Sequence, residues 1–186
     1  MLTQQQNLPF QYLSNITDFA HIIEGCRRHD RRAQRELYDA LAPMAMGVCM
    51  RFMRDRDEAQ DVMQDGFVRV FENLGQLRDP QQAGAWAYRV MVNECLKYFR
   101  RRERPVYTDD VQVDVVQLPL DPFGTEEVVA ALRQLAPAQR TAFNLVEVEG
   151  YSYEEAAKEM KCTEVNVRAL LCRAKSRLKE ILRKEK

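Results

Sequence analysis

Apolar residues along this chain recur at helical spacing. The clearest run is DEAQDVMQDGFVRVFENL, Asp57 to Leu74. Its apolar positions Ala59, Val62, Met63, Phe67, Val70, Phe71 and Leu74 lie 3, 4, 8, 11, 12 and 15 residues along from Ala59, one continuous helical stripe. Asp57 and Glu58 open it, where acids suit the helix dipole. Ahead of it the pattern predicts a short amphipathic helix over Ile16–Arg28, started at Asp18, and a longer one over Arg31–Met53 kinked at Pro43. After it, GQLRDPQQAG breaks the pattern with Gly75 and Pro80, and a long helix is expected from Gln81 to Arg104, before Pro105.

The second half gives four more helical segments. Thr125–Leu135 has Thr as its cap. Pro137–Glu149 has proline in its first turn. Ser152–Met160 opens on SYEE, a capping box with Glu155 three residues after Ser152. Thr163–Arg183 comes last. Residues 105–122, PVYTDDVQVDVVQLPLDP, have prolines, acids and β-branched residues without helical spacing, and read as a linker. The expected organisation is all-α: an N-terminal tail (1–14), a helical domain (15–104), the acidic linker (105–122) and a second helical domain (123–186).

Composition narrows the classes. At 46% hydrophobic and 30% charged, the 186 residues suit a globular chain with a proper core, not a disordered one. MLTQQQNLPFQYLS has no basic start, apolar run or cleavage site, and no window nears 18 apolar residues, so a cytoplasmic protein is expected. The five cysteines (Cys26, Cys49, Cys95, Cys162, Cys172) form no CxxC pair, and His21 and His29 are not beside one. They read as small buried hydrophobes, and neither metal nor cofactor is expected.

The net charge of zero hides a pattern. Lys97–Arg104 carries 5 bases against 1 acid, Thr163–Lys186 carries 8 against 3, and residues 105–135 carry 1 base against 6 acids. Two basic patches flanking an acidic connector suit an anionic polymer gripped at two points.

Gly150–Lys175, GYSYEEAAKEMKCTEVNVRALLCRAK, has the pattern of a helix-turn-helix. The first helix has the small Ala156 and Ala157, and the turn is Lys161-Cys162-Thr163, with Thr163 capping the second helix. Val167, Leu170, Leu171, Ala174, Leu178 and Ile181 would face inward, leaving Asn166, Arg168, Lys175 and Lys179 largely outside, and Arg and Asn read guanine and adenine edges. A plain helical hairpin would also show caps and an apolar stripe, but needs fewer bases outside. In the helix beginning near Gln81, Trp86, Tyr88, Tyr98 and Phe99 interleave with Arg89, Lys97, Arg100 and Arg101. That inventory suits unstacked bases and a phosphate backbone, although some of the aromatics belong to a core.

Taken in order, AQDVMQDGFVRVFENL, AWAYRVMVNECLKYFRRRER and LAPAQRTAFNLVEVEGYSYEEAAKEMKCTEVNVRALLCRAKSRLKE resemble regions 2.2, 2.3–2.4 and 4 of bacterial RNA polymerase sigma factors. The extracytoplasmic-function (group 4) type of the sigma-70 family is the nearest pattern. The resemblance covers about Asp18 to Leu182 and implies two small helical domains, sigma region 2 and a helix-turn-helix region 4. It implies that Asp61, Gln64 and Asp65 bind the β′ clamp helices of core RNA polymerase. It further implies −10 contacts from Gln76, Arg78, Gln81, Trp86, Tyr88, Arg89, Lys97, Arg100 and Arg101, and −35 contacts from Asn166, Arg168, Arg173, Lys175, Arg177 and Lys179. Promoter DNA and an anti-sigma factor are the other partners it implies.

The chain departs from the family where glycine is common, at Lys161 and Val165, and where a base is common, at Leu170. A left-handed Lys161 would cost about 1–2 kcal/mol, so a slightly different turn is expected. A stand-alone helix-turn-helix regulator would account for residues 136–186 but not for the acidic helix face or the aromatic-basic helix. No glycine-rich phosphate loop, metal-spaced set or nucleophile–base pair points to an enzyme.

Overall fold

The computed structural model describes residues 19–102 and 126–184; the expected tail and linker lie outside the described residues. Eight α-helices are described: α1 Phe19–Arg27, α2 Arg31–Phe52, α3 Arg56–Asn73, α4 Ala83–Arg102, α5 Glu126–Arg133, α6 Pro137–Phe143, α7 Tyr153–Met160 and α8 Glu164–Lys184. No strand occurs among the described residues, so the all-α expectation holds. They form two compact units. Among the described residues, the first takes in 19–49 together with 60–94; the second takes in 50–59, 95–102 and 126–184.

In the first unit the core is built from Ile23, Leu37, Leu41, Val48, Val70 and Met91. Helices approach closely where a side chain is missing: a Cβ on Gly25 would lie 2.6 Å from the Ala33 Cβ, and one on Gly66 would collide with the Met91 sulfur. The Tyr38 and Phe67 rings pack 4.4 Å apart. The α1–α2 corner passes through His29 at φ 60, and Asp30 caps α2 by accepting from the Arg32 amide at 2.8 Å. Helix α2 carries Pro43 within its span.

The second unit packs α8 on α5 and α6 through Leu132, Leu135, Phe143, Leu171, Ala174, Leu178 and Ile181. It also has a polar interior. Arg51 and Glu149 pair at 3.2 Å with side chains only 4% and 5% exposed. The buried Asn144 donates to the carbonyls of Arg51 (2.9 Å) and Arg140 (3.0 Å). At Asn144 the expected helix Pro137–Glu149 changes: α6 ends at Phe143 and a π-helical turn follows over Asn144–Val148. Its wider winding is closed by the Glu149 amide donating to the Asn144 carbonyl at 2.9 Å. Gly150, at φ 72, then redirects the chain toward α7.

Candidate nucleic-acid interface and acidic helix face

Helix α3 begins where Asp55 accepts from the Glu58 amide at 2.9 Å, satisfying one of the end amides. One side of it, from Ala59 and Val62 through Phe67 to Val70, is buried. The other side exposes Asp61, Gln64 and Asp65 together with Val68. These positions are three or four residues apart and share one face. It is an acidic strip with an apolar member that the sequence reading passed over.

The segment between α3 and α4 is tied down at its middle and open at its edges. Leu77 is buried, and its carbonyl accepts from the Arg27 guanidinium. Asp79 accepts from the Gln81 amide at 3.0 Å, and the Gln76 amide group donates to Asn73 at 2.9 Å. Gln76, Arg78 and Gln81 are left exposed. A loop held at these points, with exposed amide and guanidinium groups, can hydrogen-bond to an extruded base.

Along α4 the candidates separate. Arg89, Arg100 and Arg101 are exposed, and Trp86 and Lys97 are half-buried. Tyr88 is 2% exposed and belongs to the core, and Phe99 is buried as well. Tyr88 therefore has no ring face for a base. Arg100 pairs with Glu159 at 2.6 Å. The Arg102 guanidinium sits 5.0 Å over the Tyr98 ring and 2.9 Å from Glu58. Burial and the hydrogen bond to Glu58 raise the Tyr98 pKa.

The helix-turn-helix is α7, the turn and α8. The Ser152 hydroxyl accepts from the Glu155 amide at 3.2 Å, and the Glu155 carboxylate accepts from the Ser152 amide at 2.9 Å, the expected capping box. Those bonds to Ser152 lower the Glu155 pKa. Lys161 closes α7 in the left-handed region (φ 55, ψ 46), so the turn keeps the geometry that lysine was expected to resist. The Cys162 amide donates to the Ala157 carbonyl at 3.0 Å across it, which offsets the strain. Thr163 accepts from the Asn166 amide at 3.3 Å to start α8.

On α8 the predicted base-reading set thins out. Arg168 is exposed, its guanidinium 4.9 Å over the Tyr153 ring and 3.6 Å from Glu164, so it is oriented before any ligand arrives. Arg177 and Lys179 are exposed, with Arg177 2.9 Å from Glu180, and Arg173 is half-buried. Asn166 is 9% exposed and faces inward. Lys175 pairs with Glu147 at 2.9 Å and only 11% of its side chain is exposed, so it holds the unit together more than it faces outward. Val165 is 68% exposed in the first turn. Its signal in the sequence was its place two residues from Val167, off the inward stripe.

A helix-turn-helix with an oriented arginine at its leading end, in a chain that also has an acidic helix face and a basic-aromatic helix, defines a DNA-directed transcription protein. Residues 37–105 match Sigma-70 region 2 and residues 125–178 match Sigma-70, region 4. The chain is 31% identical over 140 residues to the RNA polymerase sigma-E factor of Streptomyces coelicolor, covering 71% of this chain and 76% of that one. It is 29% identical over 198 residues to the RNA polymerase sigma-H factor of Pseudomonas aeruginosa, covering 98% and 96%. A solved structure of the Bartonella quintana sigma factor RpoE with the anti-sigma factor NepR aligns over 82% of this chain and 98% of that one, at 24% identity and a TM-score of 0.48. The chain belongs to the sigma-70 family. It is a sigma factor of the extracytoplasmic-function type, acting in transcription initiation.

Proposed function

We propose a division of labour for this sigma factor among its exposed surfaces. Asp61, Gln64 and Asp65 on α3 dock on the β′ clamp helices of core RNA polymerase, a basic partner for an acidic strip. Gln76, Arg78 and Gln81 read an extruded −10 base. Trp86 stacks beside it, and Arg89, Lys97, Arg100 and Arg101 hold the backbone. Helix α8 enters the major groove at the −35 element with Arg168 on a guanine and Arg173 beside it, while Arg177 and Lys179 meet phosphates. Tyr88, Asn166 and Lys175 stay with the fold. The protein works in the cytoplasm, and RNA synthesis is the polymerase's chemistry.

The observation that carries the −35 part is Arg168, exposed yet fixed between Tyr153 and Glu164 at the leading end of α8. Holoenzyme reconstituted from core polymerase and this chain, presented with DNA randomised at −35, should select a guanine there. Arg168→Ala should relax that one position and cost about 1–3 kcal/mol. Unchanged selection by Arg168→Ala would contradict the assignment.

A further inference from the structure

Val165 stands on the outer face of α8, opposite its buried stripe. It is the most exposed of the large hydrophobic side chains among the described residues, 68% against 55% for Val68 and 36% for Tyr38. It packs in no core, and a β-branched residue restricts rotamers in a helix where alanine would not. Its place is the first turn of a 21-residue helix, and the N-terminal residues of a recognition helix are the ones that meet base edges. Helical side chains lean toward the N-terminus, which pushes Val165 further to the leading end.

Arg168 lies three residues on and shares that face. Three residues advance about 4.5 Å along a helix, and neighbouring base pairs are about 3.4 Å apart. The two side chains are therefore spaced to meet adjacent base pairs. A valine can neither donate nor accept a hydrogen bond. The one apolar group that a base edge offers in the major groove is the C5 methyl of thymine.

We propose that Val165 is a specificity-determining residue of this sigma factor, packing on the C5 methyl of a −35 thymine next to the guanine met by Arg168. The proposal rests on α8 being the −35 reader, and the test separates the two. Holoenzyme carrying wild type, Val165→Ala, Val165→Ser or Arg168→Ala selects from DNA pools randomised at −35. One pool is made with thymidine and the other with deoxyuridine, which lacks the methyl.

Wild type should enrich thymine at one position and bind the deoxyuridine form of the selected site about fourfold more weakly, the worth of one methyl-sized group. Val165→Ser should lose that enrichment and bind both forms alike, with the guanine position unchanged. Val165→Ala should fall between. Equal binding of both forms by wild type, or thymine enrichment that survives in Val165→Ser, overturns the valine assignment alone. No enrichment anywhere at −35, with Arg168→Ala indistinguishable from wild type, overturns it together with the α8 reading.

Discussion

Helices α3 and α8 both carry candidate partner-facing residues, and they are built differently. Helix α3 buries one side, from Ala59 to Val70, and leaves Asp61, Gln64, Asp65 and Val68 open opposite it. Helix α8 meets α5, α6 and α7 and buries Asn166, Val167, Ala169, Leu170, Leu171 and Cys172 in one stretch. It stays open near its start, through Val165 and Arg168, and along its later turns at Arg177 and Lys179. On a helix covered from one side, the polar face can be found by subtracting the apolar stripe. On a helix covered from several sides, subtraction overcounts: Asn166 turns inward, and Lys175 is bound to Glu147.

That contrast makes α8 the more dependent on tertiary support. The largest expected effect follows from the polar interior of its unit. Glu149→Ala leaves the buried Arg51 guanidinium without its 3.2 Å carboxylate and should lower stability by about 3–5 kcal/mol in urea denaturation. A loss within experimental error would mean that α8's unit does not lean on this pair, and the contrast with α3 would weaken.

A smaller effect is expected at the start of the helix-turn-helix. Ser152→Ala removes the hydroxyl that accepts from the Glu155 amide and should cost about 1 kcal/mol. The same cap is pH-dependent. The folded protein holds Glu155 below its ordinary 4.5, so the stabilisation is complete above pH 4.5 and is lost as pH falls through the lowered value. Thermal melts of wild type and Glu155→Ala should therefore draw together on acidification; a gap that stays constant would take the pH dependence away from this carboxylate.

The legible parts of the fold were those set by local chemistry. The α3 stripe, the Ser152–Glu155 box and the proline at the start of α6 each state their structure within a few residues. The π-helical turn was not legible, because NLVEV reads as continuing helix. Its partner is the Arg51 carbonyl, 93 positions away in sequence. Nor did the aromatic spacing on α4 separate half-buried Trp86 from buried Tyr88, since both types serve cores and stacking equally well. Lys161 in a left-handed turn is the converse case. The local preference was read correctly, and the geometry of the turn overrode it. Val165 and Val68 were visible as apolar residues off the stripe, a signal that matters only once their exposure is known.

The open acidic face of α3 is the surface proposed to dock on the polymerase. The most direct test is gel filtration of this chain with core RNA polymerase, wild type beside Asp61→Lys/Asp65→Lys. Both positions are exposed, so folding should change by no more than about 0.5 kcal/mol per substitution, as circular dichroism and melting would show. Wild type should co-elute stoichiometrically, and the folded double variant should not. Co-elution of the double variant at wild-type affinity would contradict that proposal and place the docking surface elsewhere on the chain.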